Sequence, residues 1–161
     1  MSYQVRKAQI RDLPRILEIY QSARAFMAAS GNPNQWGTAN PSRETLEEDI
    51  RLGNLYLLTG SDIIHGAFAY IPGPDPTYGV IYEGQWHSDR PYGVIHRVAG
   101  DGSGGILRAA VGYAESHSDY LRIDTHEDNK IMQRQILRMG FARCGIIRLL
   151  NGQPRIAFDR I

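Results

Sequence analysis

One cysteine, Cys144, is all that the 161 residues contain, which excludes an internal disulfide and any metal site built from a cluster of cysteines. Its ordinary role is that of a small buried hydrophobe. Net charge is nearly absent too. Lysine and arginine number 18 against 17 acidic residues, so the chain lacks the electrostatic footprint of a protein that binds a phosphate backbone, and any anion site must be local. There is no internal repeat, no low-complexity stretch and no apolar run near the ~20 residues of a spanning helix. The opening "MSYQVRKAQIRD" has no apolar core of the kind an export signal carries. The expectation is one domain, 1–161, in the cytoplasm, with neither membrane nor nucleic acid as a partner. With 42% hydrophobic residues the chain can bury one sizeable core.

What is present alternates between strand and helix patterns. "SYQVRKA" has a short strand's alternation. Asp12 then precedes Leu13, Ile16, Leu17 and Tyr20, an i, i+3, i+4, i+7 stripe that predicts a helix to about Ala29. "SGNPNQWGTANPS" has loop chemistry, and its Ser42 is placed to cap an acid-fronted helix, "RETLEEDIRLG". "NLYLLTG" and "IIHGAFAYI" predict strands, "PGPDP" a turn, and "VIYEGQW" and "YGVIHRVA" two further strands. A glycine segment leads into a helix with Leu107, Ala110, Val111 and Ala114 on one face. "YLRIDTH" predicts another strand, and Asp128 or Asn129 starts a helix carrying Met132, Ile136 and Met139. Gly140 supplies its left-handed stop, and Phe141 can fold back on Ile136. "FARCGII" and "PRIAFDR" close the chain. The predicted order, β-α-α-β-β-β-β-α-β-α-β-β, is a mixed α/β sheet with interspersed helices.

The glycine segment, "GDGSGG" at 100–105, places four glycines in six positions between a strand and a helix. In such a run, successive backbone N–H groups can face an anion, helped by the positive end of the helix dipole, where bulky side chains would obstruct. An ordinary flexible turn would have the same composition. No Lys-Ser or Lys-Thr follows the last glycine, and the spacing does not fit a dinucleotide fingerprint, so neither a nucleoside triphosphate nor NAD is indicated.

The second part of the signal is "DTHEDNKIMQRQILRMGF", residues 124–141. A strand, then Asn129, then a helix ending in Gly140-Phe141 resembles the closing half of the GNAT superfamily of N-acetyltransferases, and the likeness extends over nearly the whole chain from "VRKAQIRDLPRILEIY". "NQW", "IHRVA" and "THEDNKIMQ" are similar to a bacterial subgroup of that family. The resemblance implies the GNAT acyl-CoA N-acyltransferase fold, a central, mostly antiparallel mixed sheet flanked by helices. It implies acetyl-CoA as co-substrate and no metal. Asp101, Gly102, Ser103, Gly104, Gly105 and Ile106 become the pyrophosphate loop and Asn129 a pantetheine contact, with Val98 and Gln133 also on the cofactor side. The implied partner is a small-molecule amine acceptor, and a homodimer is left open. Two departures stand out. The loop has no basic residue inside it, though Arg108 follows in the helix, so phosphate binding should rest mainly on backbone amides. Where many members carry a tyrosine that protonates the departing thiolate, this chain has Ile136.

Acetyl transfer to an amine needs a neutral amine, a donor to the thioester carbonyl and a proton for the sulfur. Glu83 in "IYEGQW" and His96 in "VIHRVA" are candidate bases, and His126, at the end of its strand, is a candidate proton donor. A strand histidine is more often a hydrogen-bonded structural residue than a base, and an isolated glutamate more often still a solvated one. His65, His87 and His117 show no metal-ligand spacing. Trp36, Tyr82, Trp86 and Tyr92 could line a site for an apolar or cationic amine, or simply pack in the core. Three functions fit: an N-acetyltransferase acting on a small amine or amino-acid derivative, a non-catalytic acyl-CoA-binding module or sensor, and an interaction protein that retains only the fold.

Overall fold

The computed structural model describes residues 2–161. The chain runs β1 (Gln4–Lys7), α1 (Leu13–Ala29), α2 (Arg43–Arg51), β2 (Leu55–Gly60), β3 (Ile63–Pro72), β4 (Gly93–Gly100), α3 (Ile106–Glu115), β5 (Leu121–Thr125), α4 (Lys130–Arg138), β6 (Ala142–Arg148) and β7 (Pro154–Arg160). The seven strands form one sheet in the order β1-β2-β3-β4-β5-β7-β6. Every neighbouring pair is antiparallel except β4 and β5, which are joined through α3 and run parallel. No helix among the described residues is long and apolar enough to cross a membrane.

Both faces of the sheet are covered, which explains why β2 and β3 read as continuous apolar runs. Leu55, Leu57, Ala67 and Ala69 point to one side and pack with Leu13, Ile16, Ile19 and Tyr20 of α1 and Leu46 of α2. Tyr56, Leu58, Phe68 and Tyr70 point to the other, against Leu107, Ala110, Val111 and Ala114 of α3 and Ile136 of α4. The helix boundaries follow local chemistry. The Ser42 side chain accepts from the Thr45 amide to start α2, and Asn129 accepts from the Met132 amide to start α4. Gly140, at φ +87°, ends α4, and the Phe141 amide bonds back to the Ile136 carbonyl. Cys144 is buried.

One predicted strand is absent. "VIYEGQW" forms a loop whose only ladder element is an isolated antiparallel bridge between Tyr82 and Ile146 at the open edge of β6, rather than a strand next to β3 or β4. Its backbone leaves extended geometry at Glu83, whose φ is +56°. A Cβ on Gly84 would collide with the carbonyl of Cys144, so the glycine allows the loop to lie directly on β6. Ile81 and Trp86 of this stretch serve a third cluster, where they pack with Tyr92 on Tyr78, Val94, Ile147 and Ala157.

Candidate functional site

The site originates where β4 and β5 separate. They pair at Gly93–Leu121 and Val94–Arg122 only, and beyond that point the edge of β4 facing β5 has no strand to bond. A bulge in β4 coincides with this opening. The register against β3 jumps from Ala69–His96 to Ala67–Ala99, and Arg97 adopts φ +52°. Two contacts hold this strained residue. Its guanidinium pairs with both oxygens of the buried Asp49 at 2.8 and 2.9 Å, and its carbonyl accepts from the hydroxyl of Tyr20 at 2.6 Å. The result is a cleft with two cavities, of about 900 and 840 Å³, sharing Met27, Val98, Asn129 and Met132 as a neck. Each is of the size that holds a small molecule.

The first cavity contains the glycine loop. Gly102 and Gly104 have φ of +94° and +85°, and a Cβ on either would meet nothing within 4 Å, so conformation rather than crowding calls for glycine here. Gly105, at φ +72°, stands at the N-cap of α3 and supplies no side-chain cap, leaving the first N–H groups of that helix open to an anion. Asp101 also lines this cavity, with its carboxylate engaged by the loop and by His65. Its carboxylate accepts from the Ser103 amide at 3.0 Å and pairs with His65 Nδ1 at 2.8 Å, while the Ser103 hydroxyl also lies 3.0 Å from that nitrogen. Burial pushes the Asp101 carboxyl up, but the hydrogen bonds from Ser103 and His65 outweigh it and hold its pKa below the ordinary value. Asp101 and Ser103 thus brace the loop. Ile106 wedges against Gly66 and Gly100, where a Cβ would come within 2.7 and 2.6 Å of it.

Around the loop the structure assembles a charge of which the sequence reading identified only Arg108. Arg108 of α3 and Lys130, Arg134 and Arg138 of α4 all line this cavity, and none of the four has an ion-pair partner among the described residues. The i, i+4, i+8 spacing of the last three was the available signal, since it puts them on one helix face. An anion in this cavity would therefore meet side-chain cations as well as backbone amides. Asn32 is buried here, with Nδ2 donating to Gln35 Oε1 at 2.8 Å and Oδ1 left without a partner. Asn129, the expected pantetheine contact, lines this cavity; its Oδ1 accepts from the Met132 amide and one Nδ2 N–H donates to Gln35 Oε1 at 2.9 Å, so its side chain also ties α4 to the α1–α2 loop. Gln133 is similarly occupied, donating to the carbonyls of Glu127 and His126 at 2.8 and 3.2 Å.

The second cavity contains His96. Its Nε2 lies 2.9 Å from Asp75 Oδ2, a partner hidden in the turn chemistry of "PGPDP". Asp75 also accepts from the Thr77 amide at 2.8 Å and the Thr77 hydroxyl at 2.6 Å, and its own amide donates to the Tyr92 hydroxyl. Burial raises the Asp75 carboxyl, yet the bonds from His96 and Thr77 prevail and bring it down to about 2. An ionised Asp75 fixes the imidazole proton on Nε2 and leaves Nδ1 as an acceptor. Beside this pair Tyr78 donates to Asp124 at 2.6 Å. Burial first, and then the Asp124 charge, pushes the Tyr78 phenol well above its ordinary pKa, so it stays protonated. Trp36 lines the same cavity and packs on Tyr20.

Several expected site residues lie elsewhere. Glu83 is exposed in the loop over β6 and lines neither cavity. His126 lines neither, and its Nδ1 accepts from the Asp128 amide at 3.0 Å; burial, with Arg155 nearby, lowers its pKa. Trp86 and Tyr92 do not present their faces to an acceptor, because they sandwich the chain's own Arg122, each ring centroid 4.0 Å from the guanidinium carbon. Tyr82 is exposed at its bridge, with Arg148 over its ring. Ile136 is fully buried in the core rather than beside the neck.

Away from the cleft, His87, Cys144 and Asp159 converge, the one place among the described residues where three metal-ligating side chains do so. Sequence spacing gave no sign of it. His87 Nδ1 lies 2.6 Å from Asp159 Oδ1 and 3.4 Å from Cys144 Sγ, and Tyr120 donates to the other oxygen of Asp159 at 2.8 Å. Burial, with Asp159 beside it, pushes the Cys144 thiol up to about 12. A protonated thiol and a short His–Asp hydrogen bond describe a structural network.

At the level of sequence alone, no family model and no curated protein matches the chain. Solved structures do. An acetyltransferase of the GNAT family from Streptococcus agalactiae 2603 is 28% identical, with a TM-score of 0.88 over 99% of this chain and 95% of that one. A GNAT-family acetyltransferase from Listeria monocytogenes 4b F2365 is 20% identical (TM-score 0.72, 98% and 94% covered), and a ribosomal-protein-alanine N-acetyltransferase from Brucella melitensis is 19% identical (0.63, 98% and 99%). The splayed strands, the glycine loop and these likenesses define the class: the chain has the fold of the GNAT acetyltransferases, and the 28% likeness over nearly its whole length supports an acyltransferase.

Proposed function

We propose that the protein transfers an acetyl group from acetyl-CoA to the primary amine of a small molecule or amino-acid derivative by direct attack. The observation that carries this reading is the two-part cleft, with an anion-receptive half and a half built around His96 and Asp75, meeting where β4 and β5 part. The residues of the first cavity suit CoA chemically. Backbone N–H groups of Gly102, Gly104, Gly105 and Ile106, with Arg108, Lys130, Arg134 and Arg138, suit phosphates, and the unpartnered Asn32 Oδ1 suits an amide donor. Bound there, acetyl-CoA supplies an electrophilic thioester. His96, oriented by Asp75, accepts the amine's proton at Nδ1. Main-chain groups along the free edge of β4 near Val98 offer polarisation at the neck. The four neck residues, Met27, Val98, Asn129 and Met132, have no titratable side chain, so water protonates the departing thiolate.

A second reading, an acyl-CoA-binding sensor, is favoured by that same neck without a titratable side chain and by Ile136. An amine screen with acetyl-CoA, reading free thiol above the hydrolysis blank, separates the two. Amine-dependent release supports the enzyme, whereas tight CoA binding without release from any amine supports the sensor.

A further inference from the structure

Arg155, the second residue of β7, lines the His96 cavity and is 5% exposed. Its Nη1 donates to the Pro154 carbonyl at 2.9 Å and its Nη2 to the Gln35 carbonyl at 3.0 Å, and no carboxylate lies within ion-pair reach among the described residues. Burial lowers its pKa and the Asp124 charge offsets part of this, but the guanidinium stays charged. A buried cation that meets only neutral carbonyls is costly, because the charge has left water without meeting its opposite. The other cation of this cavity, Arg97, is already neutralised by Asp49. Asp75 with His96, and Asp124 with Tyr78, form the negative part of the same cavity. Thr125, almost wholly buried at the end of β5, adds a hydroxyl with no hydrogen-bond partner.

From this arrangement we infer that the acyl acceptor is a free amino acid, whose carboxylate pairs with the open N–H groups of Arg155 while its amine faces His96 and Asp75. The inference rests on the acceptor-site reading of this cavity and deepens it. A guanidinium fork matches a carboxylate in geometry and charge. A dianionic phosphate fits less well, since two aspartates share the cavity and one cation cannot balance it. A plain alkylamine would leave Arg155 uncompensated. The carbonyl bonds to Gln35 and Pro154 hold the guanidinium in place before the acceptor arrives, so little ordering is required on binding.

The test compares α- and ω-amino acids with their carboxamides and aminophosphonates, using wild type and Arg155→Met in the presence of CoA. Thermal shift reads binding, and thiol release from acetyl-CoA reads transfer. In wild type, acids should raise the melting temperature where amides do not, and kcat/KM should favour acid over amide by ~10²-fold; in Arg155→Met the ratio should fall to within ~3-fold. A purely structural Arg155 would lower stability and leave that ratio unchanged, which overturns the inference. So would equal rates for acids and amides, or a preference for phosphonates, both of which leave acetyl transfer intact. Arg155-dependent binding of acids without thiol release sustains the carboxylate site and overturns acetyl transfer, whereas neither binding nor release overturns both. Should Arg155→Met fail to fold, the wild-type comparison still decides, with Arg155→Lys, which keeps the charge but loses the fork, expected to show an intermediate ratio.

Discussion

The side-chain amide of Asn129 donates to Gln35 Oε1 across 2.9 Å while its oxygen caps α4 through the Met132 amide. Two roles in one side chain can be separated. Asn129→Ala removes a cap and a hydrogen bond and should cost ~1–2 kcal/mol in urea unfolding, whereas Gln35→Ala, which spares the cap, should cost ~1 kcal/mol or less. CoA dissociation constants should change by less than ~3-fold in either variant if the amide is spent within the protein; a tenfold loss in Asn129→Ala alone would return it to the pantetheine.

His96 and Asp75 make separable contributions to rate and stability. His96→Gln should lower kcat/KM for the amine by ~10²-fold or more while CoA affinity stays within a few-fold. With no titratable side chain at the neck, wild-type kcat/KM should rise with pH along one limb and show no descending limb up to about pH 9. The stability effect has the sign of a depressed carboxyl. Asp75 moves from 3.8 to about 2, so its contribution of about 2 kcal/mol is present above 3.8 and is lost as pH falls through about 2. Asp75→Asn should therefore be destabilised by about that amount at pH 7, and the difference from wild type should shrink steadily in acid unfolding below pH 4.

The anion-receptive cavity predicts an ionic-strength signature. Lys130→Ala and Arg134→Ala should each weaken CoA several-fold at low salt, because exposed cations contribute ~0.3–1 kcal/mol apiece against an anion, and the double variant should show a flatter salt dependence. Gly104→Val should weaken CoA more than either, through the backbone, since valine resists the positive φ found there. Equal affinity in Gly104→Val and wild type, by calorimetry, would reduce the loop to a turn.

Ile136→Tyr is expected to fail as a rescue. The position is sealed within the core against α3 and the sheet, so a larger polar ring should cost ~1–3 kcal/mol by overpacking and leave thiol release no faster. Faster release in a well-folded variant would reveal a route from this position to the sulfur.

Wherever signals were local, the sequence alone determined the outcome. Ser42 capped its helix, the pair Asp128–Asn129 marked the start of another, Gly140 ended it, and the glycines at 102, 104 and 105 marked a loop, because each of these effects acts within one turn of chain. The doubly buried runs of β2 and β3 were legible as strands for the same reason. Only the tertiary structure decided that "VIYEGQW" lies across β6, where Gly84 lets the backbone approach Cys144, although its composition equally suited a strand. Only the fold could assign Trp86 and Tyr92 to Arg122, Asp75 to His96, and an uncompensated charge to Arg155, since each partner comes from a distant segment. A formal balance near zero concealed both poles of the cleft, because charges are counted along the chain but paired, buried or left open in three dimensions.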